Sequence, residues 1–195
     1  HTMKQKTDKT SPSQKILNTA FECLSIRGYA NVSIRNIADE AGVALGQMTY
    51  YYRNKETLFL AVIDMMADQY LYGIEKELES ISDDKNKLTA LIGFFKRMVK
   101  DNPRLLKLFI DFTAQALWIP SFREPLNGLF DRLVELIEKN LALDTNTDER
   151  HLGHSHQSKS RLVLGALLGT SIQILLGSQR DDAFESLNLA ESLFS

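Results

Sequence analysis

The sequence predicts an all-α protein of about nine helices, a small three-helix unit followed by a larger helical body. Three observations carry this. Apolar residues recur at intervals of three and four along nearly the whole chain, the period of a helix with one buried face. Proline occurs only four times, at positions 12, 103, 120 and 125, so long helices are permitted. No Asn-Gly or Asp-Gly pair lies between alternating apolar and polar runs, so no hairpin signal competes. No internal repeat is present.

The elements follow in order from their punctuation. The first helix runs from about Ser13 to Arg27, with Ile16, Ala20 and Leu24 inward, and Gly28 ends it. Ser33 can cap a short second helix, Ile34 to Ala41, whose apolar face is Ile34, Ile37, Ala38 and Ala41. Gly42 ends that helix, and a third covers about Leu45 to Tyr52. Asn54 can cap a long fourth helix from Lys55 to about Ser80, roughly 39 Å at the helical rise per residue. A fifth spans Asp84 to Lys100, and Pro103 opens a sixth that reaches about Trp118. Pro120 and Pro125 are expected to break the chain before a seventh helix, Pro125 to Leu143. The segment DTNTDERHLGHSHQ, residues 144–157, reads as a polar loop. Two last helices cover about Ser158 to Leu176 and Asp182 to Leu193.

A chain of 195 residues has room for one large or two small domains, and its 44% apolar and 25% charged residues are an ordinary globular balance. Cys23 is the single cysteine, so no internal disulfide forms, which fits a reducing, cytoplasmic setting. No signal-peptide pattern is present, and His1 and Thr2 read as a remnant ahead of Met3. The longest apolar stretch, residues 162–177, is shorter than a membrane span and contains Thr170, Ser171 and Gln173, so it reads as a buried helix and no membrane partner is expected. Charge is uneven. Residues 1–55 hold eight Lys or Arg against four acids, whereas the remainder is acidic on balance. A basic end on an acidic body suits a reader of nucleic acid.

The stretch GVALGQMTYYYRNKE, residues 42–56, places three tyrosines together. Helical spacing separates them. Val43, Met48 and Tyr52 form the inward set, because Met48 and Tyr52 are four apart and share a face. Tyr50 and Tyr51 then point outward with Gln47 and Thr49, and Gly46 keeps this surface low enough for another backbone to approach. Arg35, Arg53 and Lys55 flank it. Gln reads adenine edges, a tyrosine hydroxyl bonds phosphate, and a ring touches a thymine methyl.

The span ILNTAFECLSIRGYANVSIRNIADEAGVALGQMTYYYRNKETLFLAV, residues 16–62, closely resembles the N-terminal DNA-binding domain of the TetR family of transcriptional regulators. The likeness is gap-free and covers about a quarter of the chain. It implies a TetR-like fold, with a DNA-binding domain over residues 10–56 and its helix-turn-helix over 33–52. An effector-binding and dimerisation domain over 57–195 would follow. By position it implies a DNA surface of Ser33, Arg35, Ala44, Leu45, Gly46, Gln47, Thr49, Tyr50, Tyr51 and Lys55. Arg35 matches a position that reaches bases or phosphates in some members, and Lys55 matches a phosphate-binding lysine. The chain departs from the family pattern at three of these. Ala44 replaces a capping serine, Leu45 a frequent lysine, and Thr49 the first aromatic residue of the triplet.

In the body, Met66, Tyr70, Phe94 and Met98 are expected to line an apolar ligand pocket together with Phe109, Phe112, Trp118 and Phe130. Simple core packing competes at each of these positions. Asp111 falls in a polar stripe with Arg104, Lys107 and Gln115 and reads as a solvated face. Gly165, Ala166, Gly169 and Gln173 mark a homodimer seam, since small residues four apart let helices approach closely. Burial inside one subunit is the competing reading. His151, His154, His156 and Glu149 read as a solvated loop without a metal. No cofactor is expected. The chain shows no Ser-His-acid order, phosphate-cradling glycine loop or HExxH pair, so an enzyme is not expected. The function expected is a ligand-responsive regulator, a repressor released from a palindromic operator in double-stranded DNA by a small apolar or amphipathic effector. A helical DNA-binding regulator without an effector is the alternative.

Overall fold

The computed structural model describes residues 11–140, 156–177 and 181–194, and its elements among these are helical. They are α1 (Pro12–Arg27), a short 3₁₀ turn (Tyr29–Asn31), α2 (Ile34–Ala41), α3 (Leu45–Tyr51) and α4 (Lys55–Glu79). Then come α5 (Asp84–Asp101), α6 (Pro103–Ala116), α7 (Pro120–Asn140), α8 (His156–Leu175) and α9 (Asp181–Phe194). Most of the loop expected over residues 144–157, with Glu149, His151 and His154, lies outside the described residues, while His156 opens α8. None of the described helices is long and apolar enough to cross a membrane.

The chain divides into two compact units, His1–Asp64 and Met65–Ser195. The division falls within α4, eight residues beyond the boundary at 56/57 read from the sequence. The first turns of α4 explain this, since they carry core of the first unit. Leu58, Phe59 and Val62 are buried, and the Phe59 ring meets Tyr29 edge-on at 4.6 Å.

In the first unit α1 packs on α2 and α3, and α2 on α3. Ile16, Ala20 and Leu24 of α1 meet Ile37, Ala38 and Ala41 of α2 in a core that also buries Met48. Ser11 caps α1 by accepting from the Gln14 N–H at 3.2 Å, with Pro12 in the first turn where no N–H is needed. Beside this core the Cys23 thiol donates to Glu40 Oε2 at 3.1 Å, and Arg27 pairs with the same carboxylate, so one group on α2 ties two on α1. The Cys23 hydrogen bond, then Arg27, hold the Glu40 pKa below its ordinary value, while burial first and Glu40 second push the thiol up.

In the second unit α8 packs against α5, α7 and α9, and α6 bridges α5 and α7. The core is aliphatic and aromatic, with Phe95, Phe112 and Phe122 almost wholly enclosed. α4 is tied in by Glu77 to Arg97 of α5 at 2.8 Å and by Asp68 to Arg132 of α7 at 3.5 Å. Exposed pairs of this kind contribute about 0–1 kcal/mol each, so apolar burial dominates. Gly73 of α4 permits a close approach: a Cβ there would lie 3.1 Å from the Phe94 ring of α5.

Two expectations are corrected here. α7 begins at Pro120 and runs through Pro125 rather than starting there. Pro120 occupies the first helical position, where proline's fixed φ fits. Pro125 removes only the bond to the Ser121 carbonyl, one turn from the helix end at an exposed residue that solvent serves. α6 ends at Ala116 and does not reach Trp118. Arg123 stops it by donating from Nε to the Ala116 carbonyl and from Nη2 to the Leu117 carbonyl, both at 3.1 Å.

Candidate nucleic-acid interface

The helix-turn-helix is built by its punctuation. The Ser33 hydroxyl accepts from the Asn36 N–H at 3.1 Å, while Asn36 Oδ1 accepts from the Ser33 N–H at 3.0 Å, a reciprocal capping box that starts α2. Gly42 ends α2 in the left-handed region, with φ 65° and ψ 38°. Its N–H bonds the Asp39 carbonyl and that of Val43 bonds the Ala38 carbonyl, the double closure of a Schellman turn. A side chain at this φ would be strained, so the glycine sets the angle between α2 and α3. Ala44 caps α3 without any side-chain hydrogen bond, so the missing hydroxyl leaves this end solvated.

α3 presents two different faces. Met48 is fully buried, and Val43 and Tyr52 are half-buried at the helix ends. The Tyr52 hydroxyl donates to the Ser13 carbonyl at 3.3 Å, and burial raises its pKa. Leu45, Gly46, Gln47, Thr49, Tyr50 and Tyr51 are exposed. Tyr50 is 82% exposed and its ring stands edge-on to that of Tyr51 at 5.1 Å. No atom lies within 4 Å of where a Gly46 Cβ would be, so the helix surface is open above it. Thr49 Oγ1 donates back to the Gly46 carbonyl at 3.1 Å. Arg35 and Arg53 are exposed.

Two residues of the expected DNA surface are already engaged within the chain. Ser33 spends its hydroxyl on the cap of α2. Lys55 is half-buried, donates from Nζ to the Tyr29 carbonyl at 3.0 Å and sits 4.2 Å over the Tyr29 ring. The start of α4 is also capped by Asn54, whose side-chain oxygen accepts from the Thr57 N–H at 2.8 Å.

In the body, the expected pocket residues divide. Tyr70, Phe109 and Phe130 form a chain of rings across α4, α6 and α7, with centroids 5.7 and 5.2 Å apart. Met66, Met98 and Phe112 are buried, and Phe94 is half-buried with its ring toward α4. Trp118 is 82% exposed and does not line the interior. It sits in the turn beyond α6, so it does not extend the buried row of Phe109, Phe112 and Ala116. A surface cleft of about 270 Å³ runs between Leu71, Glu75 and Glu79 of α4 and Arg132, Glu135 and Lys139 of α7. It was not anticipated, although the spacing of four along Leu71, Glu75 and Glu79 marks one face of α4. Asp111 accepts from Gln115 at 3.3 Å, as a polar stripe along α6 would.

α8 carries two faces. Val163, Leu164, Leu167, Ser171 and Ile174 are buried. Leu162, Gly165, Gln173 and Leu176 are exposed, with Ala166 and Gly169 half-buried, and a Cβ at Gly165 or Gly169 would meet nothing within 4 Å. Among the described residues, Leu162, Gly165 and Leu176 therefore leave an exposed, largely apolar strip along α8.

The family model for bacterial regulatory proteins of the tetR family matches residues 16–62. The fatty acid metabolism regulator protein of Bacillus subtilis (strain 168) is 22% identical over 181 residues, covering 92% of this chain and 90% of that protein. An HTH-type transcriptional regulator in the lacX 3' region of Lactococcus lactis subsp. lactis is 30% identical over 139 residues, covering 66% of this chain and 67% of that protein. Among solved structures, the transcriptional regulator FadR from Bacillus subtilis in complex with stearoyl-CoA superposes with a TM-score of 0.71 at 18% identity, covering 92% of this chain and 96% of that one. The identity to the lactococcal regulator across two thirds of its length, with the matched helix-turn-helix, places this chain in the tetR family of bacterial regulatory proteins as a transcriptional regulator.

Proposed function

We propose that the chain represses transcription in the cytoplasm by binding a pseudopalindromic operator as a homodimer, and that a small, largely apolar effector releases it. The observation that carries the reading is the exposed face of α3, where Gln47, Thr49, Tyr50 and Tyr51 stand out around an open Gly46. A helix with this face fits the major groove, where Gln reads base edges and hydroxyls meet phosphate. Arg35 and Arg53 supply exposed charge at its flanks, and the basic balance of residues 1–55 draws the unit to DNA. We assign DNA reading to residues 10–56, and effector binding and dimerisation to 57–195. The exposed strip of α8 supplies the self-complementary surface that a twofold dimer requires.

The effector acts on the body. Met66 and Phe112 are fully buried there, so a ligand enters by prising apart packing that involves α4, α6 and α7. α4 is one helix, about 36 Å long, and its first turn is pinned to Tyr29 by Lys55. A shift at Tyr70 would reach the DNA-reading residues along this one continuous helix. The stearoyl-CoA complex of the Bacillus subtilis regulator supports a ligand-taking body on this fold. A hundredfold loss of DNA affinity requires a coupling of about 2.7 kcal/mol, and linkage demands that operator weaken effector binding by the same factor. The test is effector affinity measured with and without saturating operator. Equal affinities would show that the ligand is no inducer.

A further inference from the structure

Tyr70 carries a hydroxyl that the fold does not use. The residue is 3% exposed, and its phenol oxygen has no hydrogen-bond partner. The other buried hydroxyl groups differ in place or in satisfaction. Ser171 donates to the Leu167 carbonyl at 2.7 Å, and Ser160, also unpartnered, lies on α8. The Tyr70 ring lies 5.7 Å from that of Phe109 on α6, which in turn meets Phe130 of α7 at 5.2 Å, and Met66 and Ile74, one turn to either side on α4, are buried apolar residues. Burial raises the phenol pKa well above its ordinary value, so the group remains a donor across the physiological range. A buried donor without an acceptor costs stability, and phenylalanine would fill the same space without that cost. The hydroxyl thus has a use other than holding the fold together.

We propose that Tyr70 is the polar anchor of the effector site, and that the effector's buried end is an uncharged hydrogen-bond acceptor of the carbonyl type on an apolar chain or ring. This rests on the effector reading above and narrows it. Among the described residues the buried polar side chains of the body are serines and Tyr70, with no buried cation or carboxylate. A carboxylate or ammonium carried into this core would remain unpaired, which is far more costly than burying a neutral carbonyl that receives the Tyr70 proton. A ketone, ester, thioester or amide fits the site, and a free acid or amine does not.

The experiment uses the full chain, its Tyr70→Phe variant and three probes matched in length, 2-decanone, decane and decanoate. Affinities come from thermal shifts against probe concentration, and release of operator DNA is followed in parallel. For the wild-type chain the ketone is expected to bind about tenfold more tightly than decane, the worth of one net hydrogen bond, and decanoate more weakly than the ketone. Tyr70→Phe should erase the preference for the ketone while leaving the unliganded protein no less stable. A preference that survives in Tyr70→Phe, tightest binding by decanoate, or no binding by any probe would overturn the proposal. Ketone binding that depends on Tyr70 but leaves DNA affinity unchanged would support the site and sink the effector reading. Binding that releases DNA without depending on Tyr70 would do the reverse.

Discussion

The Lys55 ammonium donates to the Tyr29 carbonyl at 3.0 Å and lies 4.2 Å above the ring of the same residue, so one side chain holds the start of α4 against the segment between α1 and α2. A hydrogen bond from a charged donor contributes about 1.5–3 kcal/mol, and the cation–ring contact at a partly exposed site adds about 0.5–1 kcal/mol. Lys55→Met keeps much of the stem's packing and removes both. It should lower stability by about 2–4 kcal/mol in urea unfolding. We propose that Lys55 also contacts a phosphate of bound DNA, as its match to the family's phosphate-binding lysine implies. The slope of log K against log salt should then fall by about 0.9. An unchanged slope with lost stability would leave Lys55 a purely internal tie.

The two faces of α3 predict opposite effects from adjacent tyrosines. Tyr50→Ala removes an 82% exposed ring and should leave stability within about 0.5 kcal/mol while weakening operator binding. Tyr51→Phe should weaken binding more mildly, through loss of a hydroxyl that can reach phosphate. Tyr52→Ala removes a half-buried ring and its bond to the Ser13 carbonyl, and should destabilise the unit by about 2–3 kcal/mol. Equal stability losses in Tyr50→Ala and Tyr52→Ala would contradict the assignment of faces.

Glu40 predicts a pH dependence. Its pKa is lowered in the folded chain by the Cys23 hydrogen bond and then by Arg27. A lowered carboxylate pKa stabilises the fold above the unfolded value and loses that contribution as pH falls through the folded value. The stability difference between wild type and Glu40→Gln should be level above the ordinary Glu value, about 4.3, and shrink steadily as pH falls below it. Denaturant titrations at successive pH values measure it. A difference that persists undiminished at the acid end would show that Glu40 acts through something other than its charge.

The row of small residues on α8 is tested at Gly169. Among the described residues a Cβ there meets nothing beyond its own helix within 4 Å, and leucine is a better helix former than glycine, by about 0.8 kcal/mol. Gly169→Leu should therefore leave a folded subunit and yield monomer in sedimentation, because overpacking a close seam costs about 1–3 kcal/mol or more. An unchanged dimer would place the seam elsewhere.

Where single residues dictate backbone geometry, the sequence was a good guide. Gly28 and Gly42 ended helices as read, Ser33 and Asn54 capped the next ones, and Met48 and Tyr50 took opposite sides of α3. The misreadings arose where several residues act together. Pro125 was taken as a breaker, but its effect depends on its distance from the start of α7, which Pro120 sets. Trp118 was placed inside for its large apolar ring, but it lies in the turn beyond α6, where Arg123 bonds the last carbonyls. The engagement of Lys55 with Tyr29 joins residues 26 positions apart, and the unpartnered hydroxyl of Tyr70 depends on what three helices bring around it. Neither relationship has a local signature.

The central claim is that two copies of α3 read a twofold DNA site. The most direct measurement is footprinting and titration of genomic fragments selected by the purified protein, at several salt concentrations. The account predicts protection of two related half-sites about 34–36 Å apart, or somewhat more, on one face of the duplex, with log K falling linearly with log salt. It also predicts that protection is lost in Tyr50→Ala at concentrations where the wild type saturates. Binding that is indifferent to salt, a single unpaired site, or protection unchanged in Tyr50→Ala would contradict it.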